Sequence, residues 1–559
     1  MVPWPGHATI TRGKSTQHME RTNIQRPWSS RRCLALTVAL VFSVPLVLPR
    51  DAFAGGQNGA AAGQTPTAPA APQAAPATLQ PRISAAQAQK LFQSVDTILQ
   101  FDSSDTGLPI HNDVKRKLIT RAQVIAFLTQ QMDEDKDTAR IERSAIVLEK
   151  FGLLPAHFAL RDFLLKLLGE QVAGFYDSKT KTVNLLDWID ADTQKPVLAH
   201  ELTHALQDQY QNARGIDLDK WENAGPDGTA KNITADRDHI RYDETSTARE
   251  AVLEGQAMAA YFDWGLEGRG QSLRTLPDLS LSQMTDASGK ESDSPILDSA
   301  PLVLRQSLLF PYEDGLIFEQ RVLKDRGTNA AFAGVLQRPP DSSWEIMNPL
   351  AYEHKLHAPL LAIPDLHPLL DPDWAPYDVG VMGALDVRIL GAALADAGAG
   401  ADAALAWDGG VYYAAQARSA KTLLEKDQTG SIALVYLSRW KTAKAAQAFA
   451  VLYRRSLARR YPGSPPAPGT ATRSIDLTTE GPAIVDQQDR SVFISHTLPE
   501  ALSGKVETLM LAAQTGSQPA STTASTPQHE LAAPLVQALT ADATVLLNRA
   551  GPTATAPVY

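Results

Sequence analysis

Apolar residues recur along this chain in two different rhythms. From Ser84 to about Glu170 they return at three- and four-residue spacing, as in "AQAQKLFQSVDTILQF" and "ERSAIVLEKFGLL", and predict helices. The period then changes. Between Glu170 and Asp187, "VAGFYD" and "TVNLL" are strand-like runs separated by "SKTK", a hairpin signal. Helical spacing resumes through "VLAHELTHALQDQY" (Val197–Tyr210), with Pro196 in the first turn, where its missing N–H costs nothing. Asn212 to about Thr234 is polar and reads as a loop. Its acid-rich part, Asp217 to Asp227, lacks EF-hand spacing and reads as solvated rather than calcium-holding. A second long helix is predicted over Thr245–Gly268, "TSTAREAVLEGQAMAAYFDWGLEG", with Thr245, Ser246 or Thr247 as its N-cap. More helices follow to about Gly327, then a Pro-rich turn, "QRPPDSSWEIMNPLAYEH". From about Asp373, strand-like pieces ("VYYAAQ", "GSIALVYLSRW", "RSVFISHTL") mix with one helix, "TAKAAQAFAVLYRRSLARR". The fold class is α+β, mainly helical.

Both ends depart from these rhythms. Arg31 and Arg32 precede an apolar run, Cys33–Pro49, and Ala52, Phe53 and Ala54 supply the small residues of a signal-peptidase site. The run is short for a membrane span and contains Pro45. Residues 1–54 therefore read as a signal peptide that sends the protein out of the cell or into the periplasm; left uncleaved, it would tether the domain to the membrane with the rest outside the cytoplasm. An Ala/Pro/Gly/Gln-rich linker fills 55–82, and a low-complexity tail fills 515–559. Between them lie a mainly helical domain, 83–372, and a mixed α/β region, 373–514. Removing the leader takes away seven basic and two acidic residues and moves the net charge from −10 to −15. So acidic a surface argues against nucleic acid as a partner. The one cysteine, Cys33, is in the leader, so the mature chain has no disulfide and no thiolate; a metal must be held by His, Asp or Glu.

His200 and His204 are four apart, one turn along the same helix face, a spacing that lets two imidazoles converge on one zinc ion. Glu201 is placed to hydrogen-bond a metal-bound water. On an ordinary surface helix these residues would face solvent. Here Val197, Leu198, Ala199, Leu202, Ala205 and Leu206 cover most of the circumference, so the histidines belong inside, where imidazoles need partners. A catalytic zinc needs a third protein ligand and one open position. Glu250 and Glu254, four apart in "REAVLEGQA", both qualify; one can bind the metal while the other orients a ligand histidine.

H-E-x-x-H followed by E-G-x-A on a later helix resembles the gluzincins, zinc peptidases whose third ligand is a glutamate. The resemblance implies a zincin-like core: an H-E-x-x-H helix, a small edge sheet and a second, glutamate-bearing helix. It implies Glu254 as the ligand, since the glutamate directly precedes the glycine, with Glu250 in the supporting role and Gly255 letting the two helices approach closely. "GFYDSKTKTV", "LAHELTHALQDQ", "EGQA" and "RPPDSSWEIMNP" are also similar to a group of secreted bacterial and archaeal proteins with a gluzincin-like core, over about Gly174 to Tyr352. That group's Pro-rich segment carries S-T-E-Q and a His-Pro. This chain has Ser342, Ser343, Trp344 and Glu345, and Asn348 before Pro349, so no role of that histidine carries over.

The expected function is hydrolysis of a peptide or protein substrate through a zinc-bound water, with Glu201 as general base. The strand containing Gly174, Phe175 and Tyr176 would border the cleft, where a peptide could add as a further strand. Tyr242, Tyr261, Tyr312 and His354 are candidates to stabilise the oxyanion. The competing expectation is a non-catalytic envelope protein that keeps the fold as a binding module.

Overall fold

The computed structural model describes residues 83–134, 138–222, 232–281, 294–461 and 472–515. The leader, the linker, nearly all of the tail and part of the Asp217–Asp227 segment lie outside the described residues. The chain divides into a compact unit ending at Met510 and a second, Leu511–Tyr559. The first unit contains every element used below except the last five residues of the final helix.

Its helical part begins with α1 (Ala85–Thr106), opened by a capping box in which Ser84 and Gln87 satisfy each other's backbone N–H. Then come β1 (Lys115–Ile119), α2 (Arg121–Glu134), α3 (Thr138–Phe151), α4 (Leu160–Gln171), and the hairpin β2 (Gly174–Asp177) and β3 (Thr182–Leu186). The hairpin is where the change of period falls. Its turn is held by Asp177, whose carboxylate accepts from the backbone of Lys179 at 3.0 Å and the hydroxyl of Thr180 at 2.7 Å. The strand order is β1-β3-β2, with β1 parallel to β3 and β2 antiparallel. β1 corrects the all-helical expectation for 84–170. Lys115 and Lys117 are exposed there and the strand is only five residues long, so pairing with β3, far along the chain, decides its state rather than local preference.

Next are α5 (Gln194–Ala213), α6 (Leu218–Glu222), α7 (Ile233–Tyr242) and α8 (Thr245–Leu266). The short helix α6 stands where a loop was expected, with Trp221 buried. The N-cap of α8 is Glu244, without a side-chain capping bond, in place of the expected hydroxyl residue. α9 (Leu302–Arg326) runs through Pro311, and α10 (Ser343–Met347) forms inside the stretch read as a Pro-rich turn.

Beyond Asp373 six strands form one antiparallel sheet in the order β4-β5-β6-β9-β8-β7: β4 (Trp374–Val381), β5 (Trp407–Ala417), β6 (Ile432–Trp440), β7 (Arg473–Thr478), β8 (Gly481–Gln488) and β9 (Ser491–His496). Among the described residues the region holds four helices of ten residues or more instead of the single one expected: α11 (Ala384–Leu394), α12 (Ala397–Ala406), α13 (Ala443–Arg460) and α14 (Glu500–Thr515). α12 is rich in Ala and Gly, so helical periodicity is faint in it. One apolar core, from Leu91 to Ile494, crosses Asp373. A bidentate pair, Arg388 on α11 with Asp314 on α9 at 2.8 Å for both bonds, ties the two regions together.

Candidate metal centre

The H-E-x-x-H helix α5 is buried on almost every side. Val197, Leu198, Ala199, Leu202, Ala205 and Leu206 are all in the core, and so are His200, Glu201 and His204. Gln194 locks its start: the amide accepts from Leu186 N–H at 2.9 Å and donates to the carbonyls of Leu186 and Ile189 at 3.0 and 2.8 Å. The helix therefore begins at a fixed point against β3.

His200 and His204 bring their Nε2 atoms to 3.1 Å from each other. From α8, Glu254 Oε2 stands 3.0 Å from His200 Nε2 and 3.6 Å from His204 Nε2. This buried trio is the one group of its kind among the described residues that could hold a metal ion. Burial pulls the His200 imidazole below its ordinary value, against the opposing pull of Glu254. Burial acts the same way on His204, but Glu254, with help from Glu201 and Gln207, outweighs it and holds that imidazole above its ordinary value. Burial pushes Glu254 up, and the two histidines more than reverse this, bringing it down to about 2. Glu254 is thus an anionic donor well below neutral pH.

Glu250, expected to orient a ligand histidine, makes no hydrogen bond to either one among the described residues. Burial, then the neighbouring Glu254, pushes its carboxyl up to about 8, so it is neutral at pH 7. The orienting partner is Gln207, on α5 itself. His204 Nδ1 lies 2.8 Å from Gln207 Oε1, and the Gln207 amide donates to Leu253 O at 3.1 Å and to Gln256 Oε1 at 2.9 Å. Position i+3 from a ligand histidine is legible in "HALQ", and that spacing could have pointed to Gln207.

Gly255 allows a close helix approach, but to α9 rather than to α5. A Cβ at Gly255 would stand 2.3 Å from Gly315 O, and one at Gly315 would stand 2.3 Å from Ala251 O. This crossing brings in the third wall of the site. Tyr312, one turn before Gly315, is buried with its ring stacked over His200 at 6.1 Å, and its phenol hydrogen-bonds Glu254. Burial first, then Glu254, Glu250 and Glu201, push that phenol well above its ordinary value. Of the other three oxyanion candidates, Tyr242 is 43% exposed, His354 is exposed and bonded to Leu350 O, and Tyr261 packs beside Ala173 and Val197.

β2 crosses α5 at Glu201: a Cβ on Gly174 would lie 3.2 Å from Val197 Cγ1 and 3.7 Å from Glu201 Cγ. The side chains of the next two residues are committed elsewhere. Phe175 stacks on Phe127 at 4.6 Å, and Tyr176 donates to Asp208 at 2.8 Å. What β2 offers is the backbone of an edge strand. A cavity of about 520 Å³ begins one turn from Glu254, at Glu250, and is walled by Leu164, Leu168, Leu304 and Leu308.

No protein-family model, curated protein or solved structure matches the chain. Among the described residues, no helix is long and apolar enough to cross a membrane.

Proposed function

We propose that the chain is a zinc-dependent metallopeptidase of the gluzincin type, secreted or periplasmic, that hydrolyses peptide bonds in peptides or proteins. The donor triangle carries this reading. Ligands about 2.0–2.1 Å from a tetrahedral zinc stand roughly 3.3 Å apart. The sides of the triangle are 3.0, 3.1 and 3.6 Å. Two imidazoles and one carboxylate suit zinc, and three protein donors are the number a catalytic site uses.

When bound, zinc would lower the pKa of a coordinated water to about 7 and polarise the scissile carbonyl. Glu201, wholly buried next to His200, accepts the proton of the attacking water and delivers it to the leaving amine. Tyr312, whose phenol is held well above its ordinary value, can turn its O–H from Glu254 to the carbonyl oxygen as that oxygen gains charge. The edge of β2, held in register by the buried Phe175 and Tyr176, supplies backbone groups for an extended substrate.

Metal analysis of His204→Ala, Glu254→Ala and Glu250→Ala tests the ligand set. The first two should lose zinc and the third should keep it; full occupancy in Glu254→Ala would overturn the assignment. A zinc-loaded wild-type chain that cleaves nothing across a broad peptide library would instead mark a binding module.

A further inference from the structure

The hydrogen bonds behind His204 form a chain with a single consistent direction. At its far end is the π-helical turn Ala330–Gly334, which follows α9. The terminal amide of Gln256 lies 2.9 Å from Ala331 O and 3.1 Å from Phe332 O. A backbone carbonyl can only accept, so the Gln256 NH2 points at the turn and its oxygen points back. That oxygen faces the terminal group of Gln207 at 2.9 Å, and Leu253 O lies 3.1 Å from the same Gln207 atom. Two acceptors require the Gln207 NH2 there, so Gln207 Oε1 is the atom left to meet His204 Nδ1 at 2.8 Å. An oxygen acceptor at that distance calls for a proton on Nδ1. In the neutral ring the lone pair is then on Nε2, facing His200 Nε2 and Glu254.

We propose that Gln207 and Gln256 form an amide chain that fixes the proton of His204 on Nδ1. The chain keeps Nε2 as a preset donor to the metal position and is anchored on the turn at Ala330–Gly334. Both glutamines are positioning residues, since neither side chain reaches the donor triangle. Two features make the arrangement rigid. Gln207 and Gln256 are fully buried, so water does not compete for their amides. A second amide of α5, Gln211, donates to Leu336 O at 3.2 Å just past the same turn, so helix and turn are joined twice. The inference rests on the zinc reading, because it concerns the nitrogen that would meet the metal.

The test uses the full chain with histidine-selective ¹⁵N labelling, the His204 signals being identified by their absence in His204→Asn. Nitrogen shifts should report Nδ1–H both without metal and with zinc, with Nε2 bare or protonated in the first state and metal-bound in the second. Zinc affinity, measured by competition with a chelator, should fall about 10- to 100-fold in Gln207→Leu. Gln256→Leu should fall in the same direction although it touches neither histidine. Gln209→Ala is the control for general damage to α5, since its amide oxygen serves only the 111–112 backbone at 2.7 and 2.8 Å; it should bind zinc as wild type does. A His204 Nδ1 that lacks its proton in the wild type overturns the proposal, and so does unchanged affinity in Gln207→Leu. Failure of the wild type to bind zinc would overturn the metal reading, and the metal-free spectrum would still decide the amide chain on its own.

Discussion

A helix sets His200 and His204 one turn apart, but the third donor must come from elsewhere in the chain. Glu254 comes from α8, and its two separations of 3.0 and 3.6 Å close the triangle. At this scale the sequence was informative wherever the spacing is local. H-E-x-x-H puts His200, Glu201 and His204 on one helix, and the structure brings Glu254, the glutamate of E-G-x-A, within reach of both histidines. The position of Tyr312 beside His200 was not legible among the four hydroxyl and imidazole candidates, because it depends on a crossing with a third helix. Tyr312→Phe should bind zinc normally, since the ring and its packing remain, yet hydrolyse peptides about 10²- to 10³-fold more slowly, the usual effect of removing one oxyanion donor. Steady-state kinetics with parallel metal analysis checks it; an unchanged kcat removes Tyr312 from the mechanism.

Between elements, the crossing of α8 and α9 does most to shape the site. Gly255 and Gly315 bring the two backbones together where any side chain would collide: a Cβ on either glycine would stand 2.3 Å from the facing carbonyl oxygen. The glycine beside Glu254 was visible in the sequence; its partner was not, because "EDGLIF" carries no signal for which helix it will face. The same limit hid β1, whose pairing with β3 is non-local, and α12, whose Ala/Gly composition blurs any periodicity. The hairpin β2–β3 and the long helices α5 and α8 were legible because their patterns are strong and local. Gly255→Val should destabilise the fold by roughly 1–3 kcal/mol through overpacking and lower zinc affinity with it. Denaturant melts of the metal-free protein measure the first effect. A variant as stable as wild type, with its zinc site intact, would mean that the crossing does not need its glycines.

For the molecule as a whole, the helical part and the C-terminal sheet meet through buried acids. Glu244 accepts from Ser343 Oγ, and Ser343 Oγ in turn accepts from Leu385 N–H at 3.2 Å. Burial is the main reason why Glu244 is pushed up to about 8 and Asp386 to about 6, from ordinary values of 4.5 and 3.8. A raised folded-state value means that the neutral acid is the favoured form. Its contribution to stability is complete below the unfolded value and is lost as pH rises through the folded one. The melting temperature should therefore fall between about pH 4 and pH 8 in buffers of constant ionic strength, with Glu244→Gln flattening the upper part of that fall. A variant that melts with the same pH dependence as wild type would exclude Glu244 as the cause. The proposed zinc-peptidase activity is tested most directly by a peptide-library digest of zinc-loaded wild type beside zinc-loaded Glu201→Gln. The expected result is equal zinc content in the two proteins, with cleavage by wild type alone and loss of that cleavage with a chelator; cleavage by Glu201→Gln at the wild-type rate, or none by zinc-loaded wild type, would contradict it.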